Sequence, residues 1–169
     1  MERTVYKGNF IEVKELKVGN HTWEKAYFPD SLVIFPITKD NEIIMVEELR
    51  PHEDNQVIQK FVTGHIEKGE DVLDCANREL QEEAGFKSNK LTEILVHRSS
   101  GTINSNFYFV MAEDLEVSKL PNPDGEDTIL NVKKIKLNTI KQQLENEQIP
   151  WTLPVLGLFK VLRLRNLNN

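Results

Sequence analysis

The sequence predicts an α/β protein in which a mixed β-sheet is sandwiched between helices. Apolar runs of strand length recur along the chain, at 31–37, 42–49, 91–97, 106–115 and 129–135. A charged segment with helical apolar spacing, 64–86, interrupts them, and two helical segments, 138–147 and 152–166, follow the last one. Helices placed between and after strands are typical of a sheet that is covered on both faces.

The N-terminal region, about residues 1–29, is predicted to form a β-hairpin. Two loosely alternating segments, 9–17 and 21–28, are separated by Gly19-Asn20, a dipeptide typical of a hairpin turn. Packing in a core or an interface explains the aromatic residues of the second segment better than stacking on a ligand does. Trp23 is nevertheless kept as a candidate substrate contact.

The later elements follow from local signals. Segment 31–37 is an almost continuous apolar run, which favours a central position in the sheet. The helix at 138–147 is expected to be capped by Asn138 or Thr139, and the helix at 152–166 to start at Thr152, just before Pro154. A segment rich in Pro, Gly and Asp, 121–128, is expected to be a loop.

Composition limits the class of protein. We expect a single domain spanning residues 1–169, because a chain of this length can bury a sizeable core. The net charge of −6 argues against a nucleic-acid backbone as the main partner. The single cysteine fits a cytoplasmic protein, and no apolar run is long enough to span a membrane.

The segment 64–86 has an unusual arrangement of charge. Its helix is expected to begin near Asp71 and to end at Gly85, which suits the left-handed conformation of a helix end. Glu79 and Glu83 lie one turn apart at the edge of the apolar face, with Glu82 on the adjoining flank. Like charges at this spacing destabilise a helix by about 0.2–0.5 kcal/mol per pair. A solvated acidic face would carry more lysines, so the pattern favours a hard divalent cation such as Mg²⁺.

This segment resembles the Nudix box, G-x5-E-x7-R-E-U-x-E-E-x-G-U, where U is a bulky apolar residue. Every fixed position is filled, by Gly64, Glu70, Arg78, Glu79, Leu80, Glu82, Glu83, Gly85 and Phe86. The resemblance implies the Nudix fold and hydrolysis of a nucleoside diphosphate linked to another moiety. It also implies that Mg²⁺, or Mn²⁺, is held by Glu79, Glu82, Glu83 and the carbonyl oxygen of Thr63.

The residues before the box resemble the lead-in of ADP-ribose and nucleoside-diphosphate-sugar pyrophosphatases. Arg50 matches an arginine that often holds substrate phosphate there, although a surface arginine in a salt bridge would give the same pattern. The sequence departs from the group at three places: Lys60 replaces a glutamate, Val62-Thr63 replaces Pro-Ala, and Ser100 replaces the proline of a Ser-Pro-Gly loop. Arg50 and Ser100 are candidate substrate contacts.

The resemblance implies further features of the site and the assembly. In such enzymes an N-terminal hairpin commonly helps to form a homodimer and to cover the nucleotide substrate. A loop before a late strand commonly supplies a catalytic carboxylate, for which Glu126 is the best match and Asp127 the second. A box glutamate such as Glu82 is the alternative base. Arg78 is expected to tie Glu70 to the helix.

Three other functions remain open at this point. The chain could be a Nudix enzyme that acts on nucleoside triphosphates or capped RNA, a non-catalytic nucleotide sensor, or a plain interaction domain. The lead-in around Arg50 and the hairpin favour the nucleotide-sugar class, and the acidic balance counts against RNA. Sensors of this family often have a broken box, whereas this box is intact, and an interaction domain would leave the clustered glutamates unexplained.

Overall fold

The computed structural model describes residues 2–121, 128–149 and 152–166. These residues form the strands β1 (Glu2–Lys7), β2 (Glu12–Val18), β3 (His21–Tyr27), β4 (Ser31–Pro36), β5 (Glu42–Arg50), β6 (Gln56–Lys60), β7 (Val62–His65), β8 (Phe86–Ser99), β9 (Ile103–Val117) and β10 (Ile129–Lys136). The helices are α1 (Val72–Glu79), which continues into a π-helical turn (Leu80–Ala84), α2 (Leu137–Glu145) and α3 (Pro154–Leu164).

The strands form a mixed sheet and a smaller antiparallel one. The larger sheet has the order β1-β2-β3-β9-β4-β7, and β8 also pairs with β9. Strand β9 runs parallel to β3 and β4 and antiparallel to β8, which confirms the predicted mixed sheet. The smaller sheet has the order β10-β5-β6, and an isolated bridge between Ile37 and Ile43 links the end of β4 to β5.

Two apolar cores lie on the two faces of the central strands. In β4, Leu32 and Ile34 pack on the side of α1 and the π-helical turn, whereas Val33 and Phe35 pack on the side of α2 and α3. Because both faces are buried, the sequence of this strand is an apolar run and does not alternate with polar residues. The predicted sandwich of a mixed sheet between helices is confirmed.

The helix that carries the box has the predicted ends. Asp71 is the N-cap, and its side chain accepts a hydrogen bond from the backbone N–H of Leu73 at 2.8 Å. The π-helical turn ends at Gly85, whose φ of 73° lies in the left-handed region. The π-helical turn itself was not predicted, and it contains Glu82 and Glu83.

The start of α2 differs from the prediction. The helix begins at Leu137 with Lys136 in the cap position, and no side chain caps it, so the expectation of an Asn138 or Thr139 cap was wrong. The backbone N–H of Leu137 donates to the carbonyl of Asn41 at 3.0 Å, and this tertiary contact satisfies an end of the helix that a local cap would otherwise serve.

The N-terminal strands contain the predicted hairpin and one strand more. β2 and β3 pair around the turn, with Val18 opposite His21 and Gly19 at a φ of 60°. β1 pairs with β2 and was not predicted, because all of its residues are exposed and leave no burial pattern in the sequence. In the described part of the chain, no helix is long and apolar enough to cross a bilayer.

Candidate active site

A cavity of about 740 Å³ opens between the box and the strands that precede it. Its charged lining comes from β5 and β6, from the loop before α1, and from α1 and the π-helical turn: Glu48, Arg50, Lys60, Glu67, Arg78, Glu79, Glu82 and Glu83. Five of these side chains are carboxylates and three are cations, so the lining has an excess of negative charge. A single cavity therefore collects most of the residues that the sequence analysis singled out.

Gly64 allows the box helix to approach the sheet closely. It lies on β7, the end strand of the larger sheet, which pairs with β4. A Cβ atom built on Gly64 would lie 2.2 Å from Cγ of Glu79, closer than any side chain could be accommodated without a shift. A glycine is therefore required here for the carboxylate of Glu79 to reach the cavity.

Arg78 connects three of the carboxylates. Its Nε and Nη2 donate to the two oxygens of Glu70 at 2.8 and 3.0 Å, which confirms the predicted pair between loop and helix. Its Nη1 also donates to Glu79 at 2.8 Å and to Glu82 at 3.1 Å. The arginine thus neutralises part of the charge that the sequence analysis assigned to a metal ion.

Glu83 is held by the strand side of the cavity. Its Oε1 accepts a hydrogen bond from Nζ of Lys60 at 2.8 Å, and its Oε2 accepts one from the backbone N–H of Thr63 at 3.3 Å. Nζ of Lys60 also donates to the hydroxyl of Thr63 at 3.0 Å and lies 3.5 Å from Glu48. The contacts of Glu83 with Thr63 and Lys60 join residues that are 20 and 23 positions apart in the sequence.

Burial shifts the titration of two box glutamates. Desolvation raises the pKa of Glu79 to about 7, against the lowering effect of Arg78, and the nearby carboxylates of Glu83 and Glu82 raise it further. Burial also raises the pKa of Glu83 above its ordinary value, and Lys60 opposes that rise. Both carboxylates are therefore poorly stabilised in their charged form by the protein alone, and a nearby cation would stabilise them.

The chemistry of these donors fits a hard divalent cation. Carboxylate oxygens of Glu79, Glu82 and Glu83 face the same cavity as Thr63, and oxygen ligands of this kind suit Mg²⁺ and Mn²⁺. As the side chains lie, no three of the described His, Cys, Asp and Glu side chains converge on one point, because Arg78 and Lys60 occupy their oxygens. Arg78 keeps Glu70 as a partner, so it can release Glu79 and Glu82 to a metal ion.

The structure places the other predicted site residues in three ways. Arg50 lines the cavity and is also held in ion pairs with Glu48 and Glu53, so the predicted salt bridge is present and the predicted contact with substrate phosphate stays a prediction. Trp23 lies instead at a separate groove of about 270 Å³, next to Gly101 and Thr102. Ser100 adjoins that groove in sequence and is not part of the lining of the large cavity within one chain.

The two loop candidates for the catalytic base precede β10 in the sequence. Glu126 and Asp127 fall outside the described residues. Thr128, which follows them directly, lines the large cavity together with Ile129 at the start of β10. The start of β10 and the residue before it therefore border the cavity.

Several residues of the cavity were not predicted. Glu48 lies two positions before Arg50 on β5, and since alternate residues of a strand share a face, that spacing could have revealed it. Lys60 was noted only as a departure from a family pattern. Phe10 lines the cavity mouth with its ring 5.9 Å from that of His65, and no local signal connects the two residues.

Comparisons with known proteins agree with this geometry. Residues 27–153 match the model of the NUDIX domain family. The chain is 28% identical to the ADP-ribose pyrophosphatase of Bacillus subtilis (strain 168) over 151 residues, which cover 86% of this chain and 81% of that protein. It is 33% identical to the ADP compounds hydrolase NudE of Escherichia coli (strain K12) over 98 residues, which cover 57% of this chain and 52% of that protein.

A solved structure extends the likeness to the whole fold. The crystal structure of an ADP compounds hydrolase superposes with a TM-score of 0.81 at 26% sequence identity, and the match covers 99% of this chain and 94% of the other. Because the family model spans most of the chain and the box glutamates meet in one cavity, the protein belongs to the Nudix family and is a Nudix hydrolase of the ADP-ribose pyrophosphatase group.

Proposed function

We propose that the protein hydrolyses a nucleoside diphosphate linked to a sugar, such as ADP-ribose or a nucleotide sugar, at its diphosphate. The observation that carries this proposal is the meeting of Arg50 with Glu79, Glu82 and Glu83 in one cavity of about 740 Å³. That volume falls within the range of pockets that enclose small-molecule ligands. The names of the relatives, an ADP-ribose pyrophosphatase and an ADP compounds hydrolase, support the same class of substrate.

The carboxylates are proposed to bind Mg²⁺, with Mn²⁺ as an alternative. Glu79, Glu82 and Glu83 would provide carboxylate oxygens, and Thr63 would provide its backbone carbonyl. A divalent ion bound there would neutralise phosphate charge and make a nearby water molecule easier to deprotonate. An acidic protein needs such an ion to accept a diphosphate, because its net charge of −6 otherwise repels the substrate.

The protein's own groups have separate parts in the reaction. Arg50, which lines the cavity, would bind a phosphate oxygen through its guanidinium group. Glu126, or Asp127 or Glu82 in its place, would accept the proton of the attacking water. The oxygen of that water forms a bond to one phosphorus atom while the bond from that phosphorus to the bridging oxygen breaks. The products are two phosphate monoesters, a nucleoside monophosphate and a sugar phosphate.

The assembly and location of the protein complete the proposal. Exposed apolar side chains on β1 to β3 and at their edges, including Tyr6, Phe10 and Trp23, support a homodimer formed through these strands. A second chain could then bring Trp23 or Ser100 to the substrate. Cys75 is buried, and burial raises the pKa of its thiol to about 12, which suits a packing residue. We propose that the protein is cytoplasmic and consists of one domain.

A substrate panel tests the proposed reaction. The protein is incubated with Mg²⁺ and with nucleotide sugars, ADP-ribose, dinucleotides, nucleoside triphosphates and capped RNA, and the products are identified by mass. We expect a nucleoside monophosphate and a sugar phosphate from at least one nucleotide sugar or ADP-ribose, with no turnover in excess EDTA and recovery with Mg²⁺ or Mn²⁺. Turnover of triphosphates or capped RNA alone, or full activity in EDTA, would overturn the proposal.

A further inference from the structure

Lys60 is buried at the end of β6, beside the box glutamates. Its relative exposure is only 8%, whereas lysine is almost never buried unless it is paired. Its ammonium group contacts three protein oxygens, one each from Glu83, Thr63 and Glu48, at 2.8, 3.0 and 3.5 Å. The Glu83 and Thr63 contacts are hydrogen bonds that use two of the three N–H donors of the ammonium group, and the Glu48 contact is an ion pair.

The two cations of the cavity differ in how firmly they are held. Arg78 is more exposed and has a second carboxylate, Glu70, that contacts it through both oxygens. It can therefore leave Glu79 and Glu82 without becoming unpaired. Among the described residues, both acidic partners of Lys60 line the cavity, and moving its charge away would leave the largely buried carboxylate of Glu83 without its cation.

The oxygens around Lys60 resemble the surroundings of a bound cation. They come from three separate elements, namely β5 for Glu48, the start of β7 for Thr63 and the π-helical turn for Glu83. They converge on one positive charge at hydrogen-bonding distances. In this cluster the cation is attached to the chain.

We propose that Lys60 is a resident cation of the metal site, which means that its ammonium group permanently occupies a position that would otherwise accept a divalent ion. The ammonium takes Oε1 of Glu83 and lies beside Oε2 of Glu48, so Oε2 of Glu83, which accepts from the backbone N–H of Thr63, is the oxygen of Glu83 that would remain for a metal ion. The chain consequently binds one divalent ion fewer than its carboxylates could hold, and Lys60 positions Glu83. This inference rests on the proposed metal-dependent function.

Counting bound Mn²⁺ tests the proposal without any need for turnover. The purified protein and its Lys60→Gln variant are titrated with Mn²⁺ alone, and the free ion is measured by electron paramagnetic resonance. We expect the variant to bind one more Mn²⁺ per chain than the wild type. The control is Lys39→Gln, which removes the same charge from a side chain that is 89% exposed, and it should match the wild type.

A measurement on the wild type protects the test against a variant that fails to fold. The side-chain ¹⁵N signal of the Lys60 ammonium group is recorded by NMR before and after saturation with Mg²⁺. We expect the signal to persist, because the group stays bound to Glu83. Loss of the signal on adding Mg²⁺, or equal Mn²⁺ counts in the wild type and in a folded Lys60→Gln variant, would overturn the inference. Absence of hydrolysis with the expected Mn²⁺ counts would overturn only the proposed reaction.

Discussion

The box helix and the N-terminal strands differ in whether their side chains have partners within the same chain. Around the box, buried charges have partners from the same chain: Arg78 serves Glu70, Glu79 and Glu82, and Lys60 serves Glu83. In β1 to β3 the side chains of Val5, Tyr6, Val18 and Trp23 lie open to solvent, and Trp23 is 62% exposed.

The charged side chains of the box find their partners within one chain, whereas the apolar side chains of the N-terminal strands remain without a covering surface in the described part of the chain. A buried charge without a partner costs several kcal/mol, so each buried carboxylate of the box needs a cation from the same chain before any ligand arrives. An exposed aromatic side chain costs much less, and a group of them marks a surface that another molecule can cover. Substitutions in the box therefore test the chemistry of one chain. Substitutions in the N-terminal strands test the proposed assembly of two chains.

The largest effect is expected from Glu83→Gln, which should nearly abolish turnover. The change removes a carboxylate that faces the proposed metal, and it also leaves the buried ammonium of Lys60 without its 2.8 Å ionic partner. The metal-free variant should lose about 1–3 kcal/mol of unfolding free energy. The sequence alone leads to a different expectation for stability. From the repulsion between Glu79 and Glu83, it predicts a variant as stable as the wild type or slightly more so.

Melting curves with and without Mg²⁺, beside a rate assay, measure both consequences of Glu83→Gln. Mg²⁺ should raise the melting temperature of the wild type through linkage, and it should raise that of the variant much less. The control is Glu116→Gln, an exposed position on β9. A variant that is less stable yet fully active would remove Glu83 from the metal site.

Substitution of Glu126 tests whether the box is chemically complete without the loop. Glu126→Gln should lower kcat by about 10²–10⁴ and leave KM nearly unchanged, because a general base acts in the transition state. Asp127→Asn is the matched control and should stay near the wild type. The reverse result would make Asp127 the base, and two active variants would assign the base to a box glutamate such as Glu82.

The N-terminal strands are tested through Trp23→Ser. If this side chain lies at the centre of a homodimer interface, its loss should weaken the dimer by about 2 kcal/mol or more, which is roughly a 30-fold rise in the dissociation constant. Light scattering across a dilution series measures the change. Val117→Ser, at an 85% exposed position outside these strands, is the control. A wild type that is monomeric at all concentrations would contradict the dimer.

The sequence predicts the box far better than its surroundings, for a physical reason. Helix α1, its Asp71 cap and the end at Gly85 of the π-helical turn that follows it depend on residues within one segment, so local spacing reveals them. The central strands are equally visible, since burial on both faces requires apolar runs. Strands β6 and β7 were not predicted, because they are short and adjoin a motif that resembles a loop.

In the candidate site, contacts between residues far apart in the sequence were even harder to predict. The pair of Lys60 and Glu83 joins residues 23 positions apart, and it depends on how β6 and the π-helical turn pack together. No periodicity encodes such a contact. The three-way contact of Arg78 is partly local, because Glu79 and Glu82 lie within one helical turn of it, and only the Glu70 contact was predicted.

The smallest effect is expected from Glu70→Gln, and it depends on pH. Glu70 receives two hydrogen bonds from Arg78 and one from the backbone N–H of Glu67, and the Arg78 contact lowers the pKa of Glu70 to about 2 from its ordinary value of 4.5. Because the folded-state pKa is depressed, the stabilisation is complete above about pH 4.5 and is lost as pH falls towards 2. At neutral pH the variant should be less stable by on the order of 1 kcal/mol.

Urea unfolding of the wild type and of Glu70→Gln, repeated between neutral pH and pH 2, measures this difference. The gap in unfolding free energy should stay constant down to about pH 5 and then close, because the protonated wild-type carboxyl no longer holds Arg78 as an ion pair. Glu116→Gln, which lies in an exposed position, provides the reference for acid effects elsewhere. A gap that persists unchanged at pH 2 would mean that Glu70 stabilises the loop by shape and hydrogen bonding, and that its charge is not needed to connect the loop to the box helix.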